Sequence, residues 1–361
     1  MSVSVHRSAL RLGLPFRNIK NRFCATSVTR PHLVQKPEII NGRRIAKQIE
    51  GEVRTAVEAA VSQGKRRPHL SVVLVGDDEA STVYVKNKVK ATERTGAGLV
   101  RGGGNIRDDE ASTVFVKNKV KATERTGITS ETFRLPSCTS ETQLLDVIGR
   151  LNGNPLVDGI LVQLPLPPHI DESTICNSIF PQKDVDGFHA LQMGRLCLDM
   201  DSLAPCTPLA IVEILNRIGV EPYGKHVVIC GRSAIVGLPI SIMLGSTRPY
   251  GNATVSVCHS RTKPSDLCAL TKMADILVTA TGSPGLITAN MVKPGVCIID
   301  VGITRMPDAA TGRTKLVGDV DFDDVAPRCS YITPVPGGVG PVTVAMLMRN
   351  TYFAHIGRIK Y

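Results

Sequence analysis

The chain has 361 residues, 42% of them apolar and 21% charged. That is enough for two domains with cores of their own, and it excludes a disordered or fibrous protein. The net charge is +11, but Arg7, Arg11, Arg17, Lys20, Arg22, Arg30 and Lys36 all fall in an opening stretch that lacks Asp and Glu. The remainder carries only about +4, too little to argue for a nucleic-acid partner, and no apolar run approaches the roughly 18 residues of a membrane span.

The first 36 residues are Arg- and Ser-bearing, acid-free and interspersed with Leu, Val and Phe. That pattern predicts a mitochondrial transit peptide, cleaved between Phe23 and Lys36, and places the mature protein in the mitochondrial matrix. The ten cysteines are scattered, with no CxxC pair and no His spacing suited to zinc. They fit a reducing compartment, and no metal site is expected.

Gly42 to Gln63 has helical spacing in Ile45, Ile49, Val53, Val57 and Val61. LSVVLVG at 70–76 reads as a buried strand. Residues 77–96, DDEASTVYVKNKVKATERTG, then recur at 108–127 as DDEASTVFVKNKVKATERTG, with Phe115 in place of Tyr84. Each copy reads as a helix ending at Gly, and the Gly-rich segment 97–107 between them reads as a linker. A strand at 128–136, a helix near 140–152 and a strand at 157–167 follow. Strands alternating with helices predict an α/β domain with a mostly parallel sheet.

The second half repeats that order. A helix near 207–218 precedes HVVICGR, ATVSVCH, ADILVTATG and VCIIDVGI, four Val/Ile-rich strands of a doubly wound, Rossmann-like nucleotide-binding domain. A final amphipathic helix is predicted over 342–356. TPVPGGVGPVT at 333–343 is too rich in Pro and Gly for a helix or central strand, and is expected to be a rigid loop over a flat ligand.

In HVVICGRSAIVGLP, Gly231 and Gly237 let the backbone approach a pyrophosphate at a helix start, with Arg232 and Ser233 beside them. The second strand ends Cys258-His259-Ser260-Arg261, without the acid that NAD-selective sites place there. Ser260, Arg261 and Arg232 suit a 2′-phosphate, so NADP is favoured, with NAD possible.

In the first copy of the repeat, Tyr84 and Lys88 are four residues apart and share a helix face. A Lys beside a Tyr in a partly buried cleft can have its pKa lowered and act as acid or base. VQLPLP puts Gln163 at a strand's C-terminal end, where α/β sites form, and KDVDGF supplies Asp184 and Asp186 in a turn.

The motifs VVLVGDDEASTVYVKNK, VDGILVQLPLP, KDVDGFH, GRSAIVGLP, DVGI and ITPVPGGVGPVTVAML, in this order, resemble the methylenetetrahydrofolate dehydrogenase/methenyltetrahydrofolate cyclohydrolase family over about residues 38–356. With the presequence, a mitochondrial bifunctional member is implied. The resemblance implies hydride transfer from 5,10-methylene-tetrahydrofolate to a nicotinamide, then hydrolysis of the methenyl product to 10-formyl-tetrahydrofolate. It implies Lys88 as general acid/base, Gln163 as its hydrogen-bond partner, Tyr84 orienting the folate and Asp186 binding the pterin. Val162 and Leu164 flank Gln163 in the pocket. Pro336, Gly337, Gly338, Val339, Gly340 and Pro341 line it as part of a loop to Val344. Gly231, Arg232, Ser233, Gly237, Ser260 and Arg261 are expected to bind the cofactor. Mitochondrial NAD-using relatives carry an Asp and an Arg that hold magnesium and phosphate, and here Asn252 and Ser260 stand at those places.

The implied layout is a transit peptide over 1–36, a folate-binding catalytic domain over 37–190 and a nucleotide-binding domain over 191–336. A C-terminal helix at 337–361 packs back on the catalytic domain, with a cleft between the two domains. A homodimer is expected from the family, and no nucleic-acid or membrane partner.

Thirty-one residues are surplus, since deleting either 77–107 or 97–127 restores the family pattern. The first copy, which keeps the strand-to-helix turn and the phenol, is expected to fill the site, leaving about 97–127 as the surplus. The alternatives are that the second copy, with Phe115 and Lys119, fills it, that the doubled helix leaves a catalytically impaired NAD(P)-binding protein, or that two alternative exons are joined in one sequence.

Overall fold

The computed structural model describes residues 37–76, 110–307 and 314–361. In chain order, its first half is β1 (Glu38–Ile39), α1 (Gly42–Ser62), β2 (His69–Val75), α2 (Glu110–Thr126), β3 (Thr129–Leu135), α3 (Glu141–Gly153), β4 (Gly159–Val162), α4 (Glu172–Ser178) and α5 (Ala190–Cys197). The second half is α6 (Cys206–Arg217), β5 (His226–Cys230), α7 (Gly237–Gly245), β6 (Thr254–Cys258), α8 (Pro264–Met273), β7 (Ile276–Thr279), β8 (Val296–Asp300), β9 (Thr304–Pro307), β10 (Thr314–Val317), α9 (Phe322–Val325), β11 (Cys329–Ile332) and α10 (Val339–His355).

Two parallel sheets organise these elements. The smaller has the order β3-β2-β4, and the larger β1-β11-β8-β7-β5-β6. The runs β4, β7 and β8 are buried along their whole length, as expected of strands covered by helices on both faces. A β9–β10 hairpin stands apart from both sheets. The alternation read from the sequence thus yields the α/β class expected. One strand crosses the expected division: Glu38 and Ile39, just before the first helix, pair with Tyr331 and Ile332 at the edge of the larger sheet.

The apolar stripe of α1 forms as its spacing dictates, with Ile45, Ile49, Val53 and Val57 buried. Asn41 caps the helix by accepting from the Arg44 amide. α3 starts with a capping box between Ser140 and Gln143. Its buried face, Leu144, Val147, Ile148 and Leu151, packs with Val73, Val75, Ile160 and Ile175 in one core. A second core joins Val228, Leu277, Ile298, Val320 and Ile332 in the larger sheet. α10 packs on α1, α6 and α2, returning the chain's last helix to its first half. The buried Glu213 of α6 takes Arg217 and Arg349 as ion-pair partners, tying α6 to α10.

Two expectations need correction. The strand expected over 157–167 pairs only at Gly159–Val162. Pro165 and Pro167 have no N–H for a ladder, so the chain leaves the sheet at Gln163. The segment expected to be a loop through 343 is helical from Val339. Pro341 lies in the first turn, where a missing N–H costs nothing, so only the Pro334–Gly338 part is irregular.

Candidate active site

The helix seated against β3 is the second copy of the repeat. Within α2, Val116, Ala122, Thr123 and Thr126 are fully buried. The junction with β3 is tight: Gly127 takes a positive φ of 74°, and the Ile128 amide donates to the Thr123 carbonyl. Thr123 Oγ1 lies 2.9 Å from Ser130 Oγ on β3. Arg125 makes a two-pronged ion pair with the buried Glu50 of α1, both contacts at 2.6 Å. The expectation put the first copy in this position; Tyr84 and Lys88, like the linker at 97–107, lie outside the described residues. The direct junction into β3 goes with this placement, whereas the sequence expectation rests on the turn leading out of β2.

The lysine that meets the strand end is therefore Lys119. Its Nζ donates to Gln163 Oε1 at 3.1 Å. Gln163 follows β4, its backbone N–H still donating to Val73 O, and its Nε2 donates to Leu164 O at 2.7 Å. That second bond fixes the amide so that its oxygen faces the lysine. Val162 is buried and Leu164 partly so.

Asp186 completes the cluster. It keeps some accessible surface, yet crowding by protein pushes its carboxyl above the ordinary carboxylate value, opposed by the Lys119 ammonium and by a hydrogen bond with Cys206. Asp184, two residues earlier, is almost fully buried and accepts from the Gly187 and His189 amides, so it shapes the turn that presents Asp186. Desolvation nonetheless raises Asp184 to about 7. Two residues that the motif reading missed hold this turn. Cys206 Sγ donates to Val185 O, and burial with Asp186 nearby pushes that thiol well up. Asn350 of α10 donates through Nδ2 to Val185 O at 2.9 Å and Ala204 O at 3.0 Å. The Pro/Gly segment lies at the head of α10. Pro336 is exposed, Gly337 has φ 109°, Gly338 and Val339 are buried, and Gly340 and Pro341 are partly buried. Gly338 leaves no room for a Cβ on Gly42, so this segment is packed against the start of α1.

The second group of expected residues lies at strand ends of the larger sheet. From β5 the chain pairs β6 on one side and then crosses to place β7 on the other. The crevice outside the C-terminal ends of β5 and β7 is thus a topological switch point. Gly231 has φ 121°, and a Cβ there would strike the Ala280 carbonyl; one on Gly237 would strike the Gly231 carbonyl. Both glycines are needed for backbone closure, which leaves a Cβ-free cradle that fits a dinucleotide pyrophosphate. Ser233 Oγ accepts from the Val236 and Gly237 amides at the start of α7. Arg232, Ser233, Ser260 and Arg261 are all exposed there. Asn252 sits in a left-handed turn, φ 63°, its Nδ2 donating to Arg248 O.

Among the described residues, no group of three or more His, Cys, Asp or Glu is placed to hold a metal ion, and no helix is long and apolar enough to cross a membrane.

A doubly wound sheet with a glycine cradle at its switch point, beside a lysine–glutamine–aspartate cluster on a smaller parallel sheet, defines a two-site dinucleotide-binding α/β protein. Residues 40–101 and 105–186 match the tetrahydrofolate dehydrogenase/cyclohydrolase catalytic domain, and residues 205–358 the NAD(P)-binding domain of the same family. Each of the first two stretches contains one copy of the repeat. A mouse protein named bifunctional methylenetetrahydrofolate dehydrogenase/cyclohydrolase 2, mitochondrial, is 50% identical over 320 residues, 88% of this chain and 86% of its own length. A Drosophila melanogaster mitochondrial bifunctional relative is 44% identical over 318 residues, 87% of this chain and 93% of its own. The silkworm 5,10-methylenetetrahydrofolate dehydrogenase structure aligns with a TM-score of 0.76 at 41% identity, covering 89% of this chain and 99% of that one. A Trypanosoma brucei dehydrogenase–cyclohydrolase structure, complexed with NADP and an inhibitor, aligns with a TM-score of 0.76 at 35% identity, covering 91% and 100%. This chain belongs to the tetrahydrofolate dehydrogenase/cyclohydrolase family.

Proposed function

We propose that this protein oxidises 5,10-methylene-tetrahydrofolate to 5,10-methenyl-tetrahydrofolate with a nicotinamide dinucleotide and hydrolyses the product to 10-formyl-tetrahydrofolate, in the mitochondrion. The observation that carries the reading is the Lys119–Gln163 hydrogen bond with Asp186 beside it. The division into a folate half (37–190), a nucleotide half (191–336) and a returning C-terminal helix is part of this proposal.

When bound, the nicotinamide supplies the hydride acceptor. The cradle at Gly231, Arg232, Ser233 and Gly237 holds its pyrophosphate and ribose. In the hydrolytic step, Lys119 keeps one N–H on Gln163 Oε1 while its nitrogen serves as the base toward a water. The water's oxygen bonds to the methenyl carbon as Lys119 takes its proton. The bond from that carbon to N5 then breaks as the hydroxyl oxygen becomes the formyl carbonyl and releases its remaining proton to solvent, while N5 receives the proton held by Lys119. The methenyl cation is already activated, so a positioned base suffices. Asp186 accepts hydrogen bonds from the pterin edge, and the Pro336–Pro341 segment lines the pocket, holding the flat ring in place. The second copy supplies the working lysine because it is the copy joined directly to β3.

NADP is the favoured cofactor. The end of β6 presents Ser260 and Arg261 with no acid, and Arg232 is exposed across the crevice. Arginine matches a 2′-phosphate, whereas NAD selection calls for a carboxylate. The resemblance to the family supports a homodimer, which light scattering tests by mass. Residues 1–36 are the transit peptide, and their removal is expected to leave activity intact while abolishing import.

The deciding experiment follows NAD(P)H formation from methylene-tetrahydrofolate and, separately, loss of methenyl absorbance. Tight binding of NAD(P) without turnover would favour the other reading, a binding protein impaired by the doubled helix.

A further inference from the structure

Two buried carboxylates lie together, one at the C-terminal end of β8 in the larger sheet and one just after β10, its backbone amide bonded to the first. Asp300 ends β8 and is 3% exposed; Asp319 follows β10 and is 0% exposed. Neither forms an ion pair among the described residues. Each is satisfied by N–H and O–H groups from loops instead. Asp319 accepts from the Thr281 amide at 2.6 Å and the Ser283 amide at 2.9 Å. Asp300 accepts from Thr279 Oγ1 and from the amides of Gly302, Asp319 and Val320. Thr333 Oγ1 accepts from the Asp300 amide, at the strand end that leads into Pro334–Gly338.

The 280–283 turn that Asp319 grips is the β7 lip of the switch-point crevice. Gly231, on the β5 lip, lies against the Ala280 carbonyl so closely that a Cβ would not fit. The position of this turn therefore sets the width of the cradle. Thr281 and Ser283 flank Gly282, which has φ 68°, so the turn bends tightly around the carboxylate. The pair has no slack: a Cβ on Gly302 would overlap Asp319 Oδ1, and one on Gly318 would overlap Asp300 Oδ2. Burying a carboxylate is costly, and two side by side more so. A neutral side chain that spared this cost would satisfy stability alone, so their placement on the cofactor lip calls for another account.

We propose that Asp319, seated by Asp300, is a positioning residue for the cofactor: it holds the 281–283 turn at the separation from Gly231 that admits the nicotinamide end of the dinucleotide. The backbone amide of Asp300 donates to Thr333 Oγ1, so the residue that seats Asp319 also sits beside the strand end leading into the Pro/Gly segment. This inference rests on the dehydrogenase reading above, but its first readout does not need turnover.

The test uses Asp319→Asn in the full chain. Its Nδ2 faces an amide donor, so one of the two turn bonds is lost. Expected are faster hydrogen exchange of the 281–283 peptide in cofactor-free protein and weaker NADPH binding by fluorescence titration, by about tenfold. The KM for NADP should rise with a smaller change in kcat, and the dehydrogenase-to-cyclohydrolase ratio should fall. Should Asp319→Asn not fold, Asp319→Ser leaves room for a water on the same amides and is read by the same measurements. Unchanged NADPH affinity, or an equal fall of both activities that follows thermal stability, would overturn the proposal. A wild-type protein that binds NADPH but turns over nothing would sink the function reading and leave the exchange and binding readouts to judge this one.

Discussion

The side-chain amide of Asn350, on the last helix, donates to the carbonyl of Val185 at 2.9 Å, one residue before Asp186. The same nitrogen holds Ala204 O, just ahead of Cys206. One buried side chain thus fixes both backbone segments around the proposed pterin-binding acid. Asn350→Asp would set a carboxylate against two carbonyl oxygens. The expected result is a rise in KM for methylene-tetrahydrofolate of about tenfold, with the KM for NADP little changed. Equal KM values in variant and wild type would reduce Asn350 to a packing role.

Lys119→Met is expected to lower hydrolysis of methenyl-tetrahydrofolate by about 10²–10⁴-fold, the usual worth of a positioned acid/base, while sparing much of the hydride transfer. Lys88→Met is expected to leave hydrolysis near wild type. The reverse pattern would put the first copy in the site, and a loss with neither single variant would mean that the two copies exchange.

Arg125 and Glu50 give a stability prediction for the same helix. Glu50 is buried and Arg125 half exposed, so solvent screens the charge but not the lost hydrogen bonds. Arg125→Ala should cost about 1–3 kcal/mol in urea unfolding. Arg94→Ala, the equivalent change in the first copy, should cost nothing measurable if the second copy is seated.

Two buried acids predict how stability responds to pH. Asp184 is raised to about 7 and Asp300 to about 6, both by desolvation. Between the ordinary carboxylate value and these values, the folded protein holds protons that the unfolded chain releases. Their contribution is therefore greatest below pH ~4, declines as pH rises to about 6 for Asp300 and about 7 for Asp184, and is flat beyond. Urea midpoints across that window check it: Asp184→Asn should flatten the slope relative to wild type, and an unaltered slope would refute the assignment.

Cofactor choice should follow Ser260. Ser260→Asp puts a carboxylate at the end of β6, where it repels a 2′-phosphate and accepts from ribose hydroxyls. The ratio of kcat/KM for NADP over NAD should fall by about tenfold or more.

Much of this was legible in the sequence, for physical reasons that also mark where legibility stops. Parallel strands buried on both faces read as continuous apolar runs, so β2, β5, β7 and β8 were evident from Val and Ile alone. The sequence misleads at the stretch after Val162 and at the start of α10, because proline excludes a ladder position but not a first helical turn. Gln163 and Asp186 stand out in the sequence because each sits in a turn sequence of unusual composition. The sequence favours Lys88 over Lys119 through the turn out of β2 and the phenol of Tyr84, since both copies offer the same residues to Glu50 and β3; the direct junction at Gly127 is what the structure adds. Asn350, Asp300 and Asp319 work on backbone amides and carbonyls of segments distant in sequence, and no local spacing announces such contacts.

The pairing of Glu38 and Ile39 with β11 sets a limit on maturation. Under the proposed transit-peptide reading, removal of residues beyond Pro37 would take β1 from the edge of the nucleotide sheet. Expected cleavage between Phe23 and Lys36 stops short of that edge. Loss of β1 would leave β11 as an unpaired edge of that sheet, open to pairing with another chain.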